Sequence, residues 1–158
     1  MNDSDLKTAN GLKSETKKLV VGFDGSPNSI DALRWALNEA HERNFNLEII
    51  YSWLLPGSLY PFPVSIPNTD DLFDQAKQFI EDQLRQQLKE FPDIKVTLKF
   101  VEGPAGQELV NHGKATEGIV VGATSHDTFS RLLIGSVSHY VVVHAECPVI
   151  VVKQKGKE

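Results

Sequence analysis

The chain has 158 residues, 41% hydrophobic and 23% charged, which suits one compact domain with its own core and leaves no room for a second. Its formal net charge is -5 and lysine and arginine form no sustained run, which argues against binding a nucleic-acid backbone or an anionic membrane. A single cysteine, Cys147, excludes an intramolecular disulfide and a cysteine-built zinc site, and is read as a small packed residue.

From the N-terminus, residues 1–16 form a polar tail of mixed charge, expected to be flexible, with no apolar signal-peptide core. No later stretch is long enough to span a bilayer, so a cytoplasmic location is expected. Apolar runs at 19–23, 47–53, 96–101, 119–121 and 149–152 predict five strands. Three of these runs are nearly continuous, as in parallel strands covered on both faces, whereas 96–101 alternates and is expected nearer an edge. Between the first two, Ile30, Leu33, Leu37 and Ala40 mark a helical face, with Ser26 placed to cap it and Pro27 in its first turn. Residues 54–68 hold half of the eight prolines with Tyr60 and Phe62, and read as a long loop near the site. Phe73, Ala76, Ile80, Leu84 and Leu88 predict a second helix ending by Phe91, before Pro92. A shorter helix is predicted from Pro104 to Asn111, closed by Gly113. Val137, Tyr140, Val141 and His144 have helical spacing, although Val141, Val142 and Val143 favour strand.

This alternation predicts an α/β fold, an open parallel sheet with helices on both faces. Ligands in such sheets bind beyond the carboxyl ends of the strands. Two loops there stand out: Gly22-Phe23-Asp24-Gly25-Ser26, and the run from Gly122 through Ala123, Thr124, Ser125 and His126 to Asp127. Gly135-Ser136-Val137-Ser138 then opens a helix, and glycine with N-terminal amides and hydroxyls makes a phosphate cradle. It is neither a Walker sequence nor a Gly-x-Gly-x-x-Gly fingerprint. His41, His112, His139 and His144 do not recur at metal-ligand spacing and read as surface or packing residues. Trp35 and Trp53 read as packing residues, Trp53 being the one expected nearer a base.

On these residues the chain resembles the universal stress protein family over nearly all of residues 18–153. VVGFDGSPNSIDALRWAL is similar to that family's first strand and helix, VEGPA to the entry of its third helix, and LLIGSVSHYVVVHAECPVIVV to its C-terminal signature. The resemblance implies a universal stress protein domain over residues 17–155, a strand order of 3-2-1-4-5 in an adenine nucleotide alpha hydrolase-like fold, and helical residues 137–144. It also implies a stress-response regulator that binds ATP or AMP. Asp24 would contact the ribose or a nucleotide-borne Mg²⁺, Gly22 and Phe23 would flank the base, and Ser52 would offer backbone to adenine. Val121, Gly122, Thr124, Ser125, His126, Gly135, Ser136, Val137 and Ser138 would complete the site around the phosphates. Ser125 stands where the family pattern has its middle glycine, and a left-handed backbone there would cost a serine roughly 1–2 kcal/mol, about tenfold in affinity. His126 predicts phosphate affinity that rises as pH falls through about 6.5.

Two other functions compete with this one. The first is a slow Mg-dependent ATP hydrolase, which would need more positive charge than His126 and Arg131 offer. The second is a dimeric interaction module that has lost nucleotide binding. Homodimerisation is implied through the last strand, whose apolar edge would otherwise be exposed.

Overall fold

The computed structural model describes residues 17–54, 68–123 and 134–154. The elements run β1 (Lys18–Gly22), α1 (Pro27–Arg43), β2 (Asn46–Trp53), α2 (Thr69–Leu88), β3 (Val96–Glu102), α3 (Ala105–Gly113), β4 (Gly118–Gly122), α4 (Ser136–His144) and β5 (Val149–Val152). All pairings are parallel and the order is β3-β2-β1-β4-β5. Every predicted strand is present, each within a residue or two of the expected bounds. β1, β2 and β4 are largely buried, because helices cover both faces, whereas β3 and β5 are the half-exposed edges.

Alternate strand residues feed two cores. Leu19, Val21, Leu47, Ile49 and Val120 pack against Leu33 and Leu37 of α1 and Ile80 and Leu84 of α2. Val20, Ile50, Ile119 and Val121 pack against Leu109 of α3 and Val141 of α4. The period of two along each strand divides the sheet between these layers.

Helix ends follow local chemistry. The Ser26 hydroxyl accepts the Ser29 N–H at 3.3 Å with Pro27 in the first turn, so α1 starts where the residue types demand. It stops at Asn44, left-handed at φ 55°, where the Phe45 N–H reaches the Ala40 carbonyl in a Schellman closure. The expectation that Gly113 closes α3 is corrected. Gly113 is the last helical residue, and the left-handed backbone falls on Ala115. Gly113 is small because a Cβ there would lie 2.3 Å from Ile119 Cδ1. The valine triplet is helical: Val141 is buried, while Val142 and Val143 are 49% and 60% exposed, a split set by the docking of α4 on the sheet.

Candidate functional site

The strand order reverses between β1 and β4, since the chain moves from β1 to β2 and β3 on one side and from β4 to β5 on the other. A cleft opens there, beyond the carboxyl ends of the strands. Its water-accessible space of about 120 Å³ is several times the roughly 10–15 Å³ that one water needs, so it admits more than a single water. The lining includes Gly22, Phe23, Asp24 and Ser52, then Val121 and Gly122, then Gly135, Ser136, Val137 and Ser138. Ten of the predicted site residues therefore come together. Thr124, Ser125 and His126 lie outside the described residues, as do Arg131 and nearly all of the proline-rich loop.

The β1 loop is a closed turn. Asp24 Oδ1 accepts the Ser26 N–H at 2.9 Å, and Gly25 takes φ +80°, a backbone that L side chains avoid. The Asp24 N–H donates to Ser29 Oγ at 3.3 Å, and that hydroxyl donates to the Ser26 carbonyl at 2.9 Å. Asp24 itself is exposed at the mouth. Burial, and then the negative charge of Asp24, hold the Tyr51 hydroxyl above the usual phenol range.

β2 outruns β1, whose last pair is Gly22 with Ile50. In a parallel strand a residue's N–H and C=O point to one side, and successive residues alternate sides. The Ile50 carbonyl accepts the Phe23 N–H at 3.0 Å, so Ser52 turns the same way, past the end of β1 and toward the cleft. Trp53 turns its carbonyl to β3, where the Gly103 N–H donates at 2.9 Å, and the Ser52 hydroxyl donates to the Gly103 carbonyl. Ser52 thus presents backbone rather than side chain.

At the start of α4 the first helical bond is from the His139 N–H to the Gly135 carbonyl at 2.8 Å. The amides of Ser136, Val137 and Ser138 have no helical acceptor and lie at the cleft, as an anion site requires. Ser26 and Ser29 of α1 and Ala105 of α3 also line it, so three helix N-termini converge. No lysine or arginine is among the described lining residues. Fixed dipoles are the positive end of the described site, and Asp24 is the one carboxylate among its described lining residues.

Three expectations are refined by this geometry. The Phe23 ring is buried in the core under α1 and α2, so only its backbone can flank a ligand. Trp53 packs on Phe73 with centroids 4.5 Å apart and is not in the lining. The buried Ser138 hydroxyl faces the Ala123 and Gly135 carbonyls, each at 3.0 Å, which leaves its amide as the free donor. Gly122 also has an unexpected cause, since a Cβ there would lie 2.7 Å from the Asn28 carbonyl oxygen. Ser26 and Ala123 lie in the two loops singled out by the sequence but had no site role assigned, and Ser29, Ile50, Ala105 and Leu109 were missed. Ser29, one turn beyond the cap, carried a local signal, but which strand residues reach the cleft depends on how far each strand outruns its neighbour. No helix among the described residues is long and apolar enough to cross a membrane, and no three His, Cys, Asp or Glu cluster as metal ligands there.

An open parallel sheet of this order, with helix N-termini gathered at its switch point, defines an α/β domain of the adenine nucleotide alpha hydrolase-like fold. Residues 15–153 match the universal stress protein family, and the chain belongs to it. A universal stress protein of Methanocaldococcus jannaschii is 31% identical over 150 residues, covering 90% of this chain and 85% of its own. One from Mycolicibacterium smegmatis is 28% identical over 137 residues, 87% of this chain but 46% of its own, so this chain spans about half of that relative. Among solved structures, UspA of Lactobacillus plantarum superposes with a TM-score of 0.73 at 27% identity, covering 86% of this chain and 97% of its own. A universal stress protein in complex with cAMP, at 22% identity, and one from Archaeoglobus fulgidus in complex with dAMP, at 18%, share the fold with TM-scores of 0.65 and 0.57. Each covers 86% of this chain and 96% of its own.

Proposed function

We propose that this chain is a cytoplasmic stress-response regulator that binds an adenine nucleotide, ATP or AMP, and works as a homodimer rather than as an enzyme. The observation that carries the reading is the convergence of three helix N-termini and the cleft-facing Ser52 backbone on one hollow at the strand switch point. That neighbours of this fold are described with cAMP and dAMP supports the choice of an adenine ligand. The base would lie along Ser52 above Ile50 and Leu109, and the phosphates on the amides of Ser136, Val137 and Ser138. Gly122, Thr124, Ser125 and His126 would complete the phosphate loop. Asp24, the one carboxylate among the described lining residues, suits a cation carried in with the nucleotide. Phosphoryl transfer requires positive charge on the transferring group, and a described lining that holds no lysine or arginine favours holding a nucleotide over turning it over.

Mass spectrometry of denatured, freshly purified protein, followed by calorimetric titration with ATP with and without Mg²⁺, tests the reading. Bound adenine nucleotide and saturable binding are expected. No binding at millimolar ATP would overturn it in favour of a dimeric interaction module. Because Ser125 replaces a glycine of the family pattern, Ser125→Gly is expected to raise ATP affinity by about tenfold.

A further inference from the structure

Ser29 is 6% exposed, sits in the first turn of α1, and uses its hydroxyl twice. It accepts the Asp24 N–H and donates to the Ser26 carbonyl. Its own N–H is taken by the Ser26 hydroxyl, so the capping of α1 is done by Ser26 and leaves the Ser29 side chain for other work. Among the described residues the Asp24 turn has one further internal bond, from the Ser26 N–H to Asp24 Oδ1, which ties the carboxylate to the N-cap residue of α1 but leaves the Asp24 main chain to Ser29. Gly25 between them has a backbone open to left-handed geometry and therefore supplies little stiffness. The Ser29 hydroxyl thus joins the main chain of Asp24 itself to the rigid first turn of α1.

We infer that Ser29 is the positioning residue for Asp24: its hydroxyl fixes the Asp24 backbone on α1 and so sets where the carboxylate stands at the mouth of the cleft. Without it, Asp24 keeps its side-chain bond to the Ser26 N–H but its main chain loses its hold on the helix. The inference rests on the nucleotide reading only for its consequence, since the tether itself can be measured with no ligand. A metal-borne polyphosphate would be drawn to Asp24 and a metal-free monophosphate would be repelled by it, so displacing Asp24 should separate the two.

Amide hydrogen exchange by nuclear magnetic resonance on the full chain, in Ser29→Ala, Ser29→Thr and Ser26→Ala, tests the tether. Ser29→Ala is expected to speed exchange at the Asp24 amide by about tenfold, the loss of one net hydrogen bond, and Ser29→Thr to restore protection. Ser26→Ala, which frays the same helix end but leaves the Asp24 amide its acceptor, is expected to leave that exchange rate near wild type. Unchanged Asp24 exchange in Ser29→Ala, or equal acceleration in Ser26→Ala, would overturn the inference. Calorimetry adds the functional arm: Ser29→Ala should weaken Mg-ATP about tenfold and Mg-free AMP several-fold less. Equal weakening of both would mean that Ser29 touches the nucleotide directly, which also overturns the positioning role. Should wild type bind neither ligand, the nucleotide reading fails alone, and the exchange rates still decide the tether.

Discussion

Gly122 owes its identity to a neighbouring main chain. A methyl group at this position would press on the Asn28 carbonyl oxygen at 2.7 Å and carbon at 2.8 Å, and a backbone at a helix start has no rotamer with which to yield. Gly122→Ala is expected to push α1 off β4 and lower stability by about 1–3 kcal/mol, read from the urea midpoint. The Ser138 hydroxyl closes the opposite wall, joining α4 to the end of β4 through the Ala123 carbonyl. Ser138→Ala should cost about 1 kcal/mol in the same measurement, the net worth of one hydrogen bond, since the Ala123 carbonyl keeps the Gly135 N–H and the Gly135 carbonyl keeps the His139 N–H. Asp24 acts through charge. Since no cation stands in the described lining, Asp24→Asn should weaken Mg-ATP yet strengthen Mg-free AMP, which titrations with and without EDTA would reveal. As a glycine and a serine of the phosphate motif, Gly122 and Ser138 were legible in the sequence. The carbonyls they face were not, since these belong to chain segments that only the fold brings near.

At the scale of elements, α3 is held to the sheet by a buried carboxylate that hydropathy reads as an interruption of β2. Glu48, 5% exposed between Leu47 and Ile49, accepts from the ring Nδ1 of His112 in α3 at 2.7 Å, from Lys18 of β1 at 3.1 Å and from Lys99 of β3 at 3.3 Å. Burial pushes this carboxyl up, but His112, Lys18 and Lys99 together outweigh it and hold it below its ordinary value of 4.5. The folded value being the lower, the Glu48 contribution is complete above about pH 4.5 and disappears as pH falls through the folded value. Glu48→Gln should lose about 1–3 kcal/mol at neutral pH, a modest figure because both lysines reach solvent, and the gap to wild type in urea midpoints should close toward pH 3. A glutamate inside an apolar run signals that something must pair with it. Which partners do so depends on the register of three strands and one helix.

At the scale of the molecule, β5 leaves one edge of the sheet open among the described residues. The Val152 carbonyl turns inward to the Ala123 N–H, so Val149 and Val151 turn their N–H and C=O groups outward. A second copy could pair along this edge, and wild type is expected to be a dimer by light scattering at micromolar concentration. Val151→Pro removes one outward donor while sparing the bonds to β4, so it should yield a folded monomer. A dimer that persists in this variant would move the interface elsewhere.

Much of this domain is settled by neighbours in the chain. Ser26 with Pro27 starts α1, the apolar runs become the strands, and their continuity shows that the central ones are covered on both faces. Local sterics and the burial period suffice for that. Tertiary structure alone decided which of three consecutive valines is buried, that the Phe23 ring turns away from the cleft, that Gly113 and Gly122 are small for the sake of Ile119 and Asn28, and that Glu48 has three partners. Each of these depends on contacts between residues far apart in sequence, whose distance is set by strand register and helix docking and is absent from any local window of the chain.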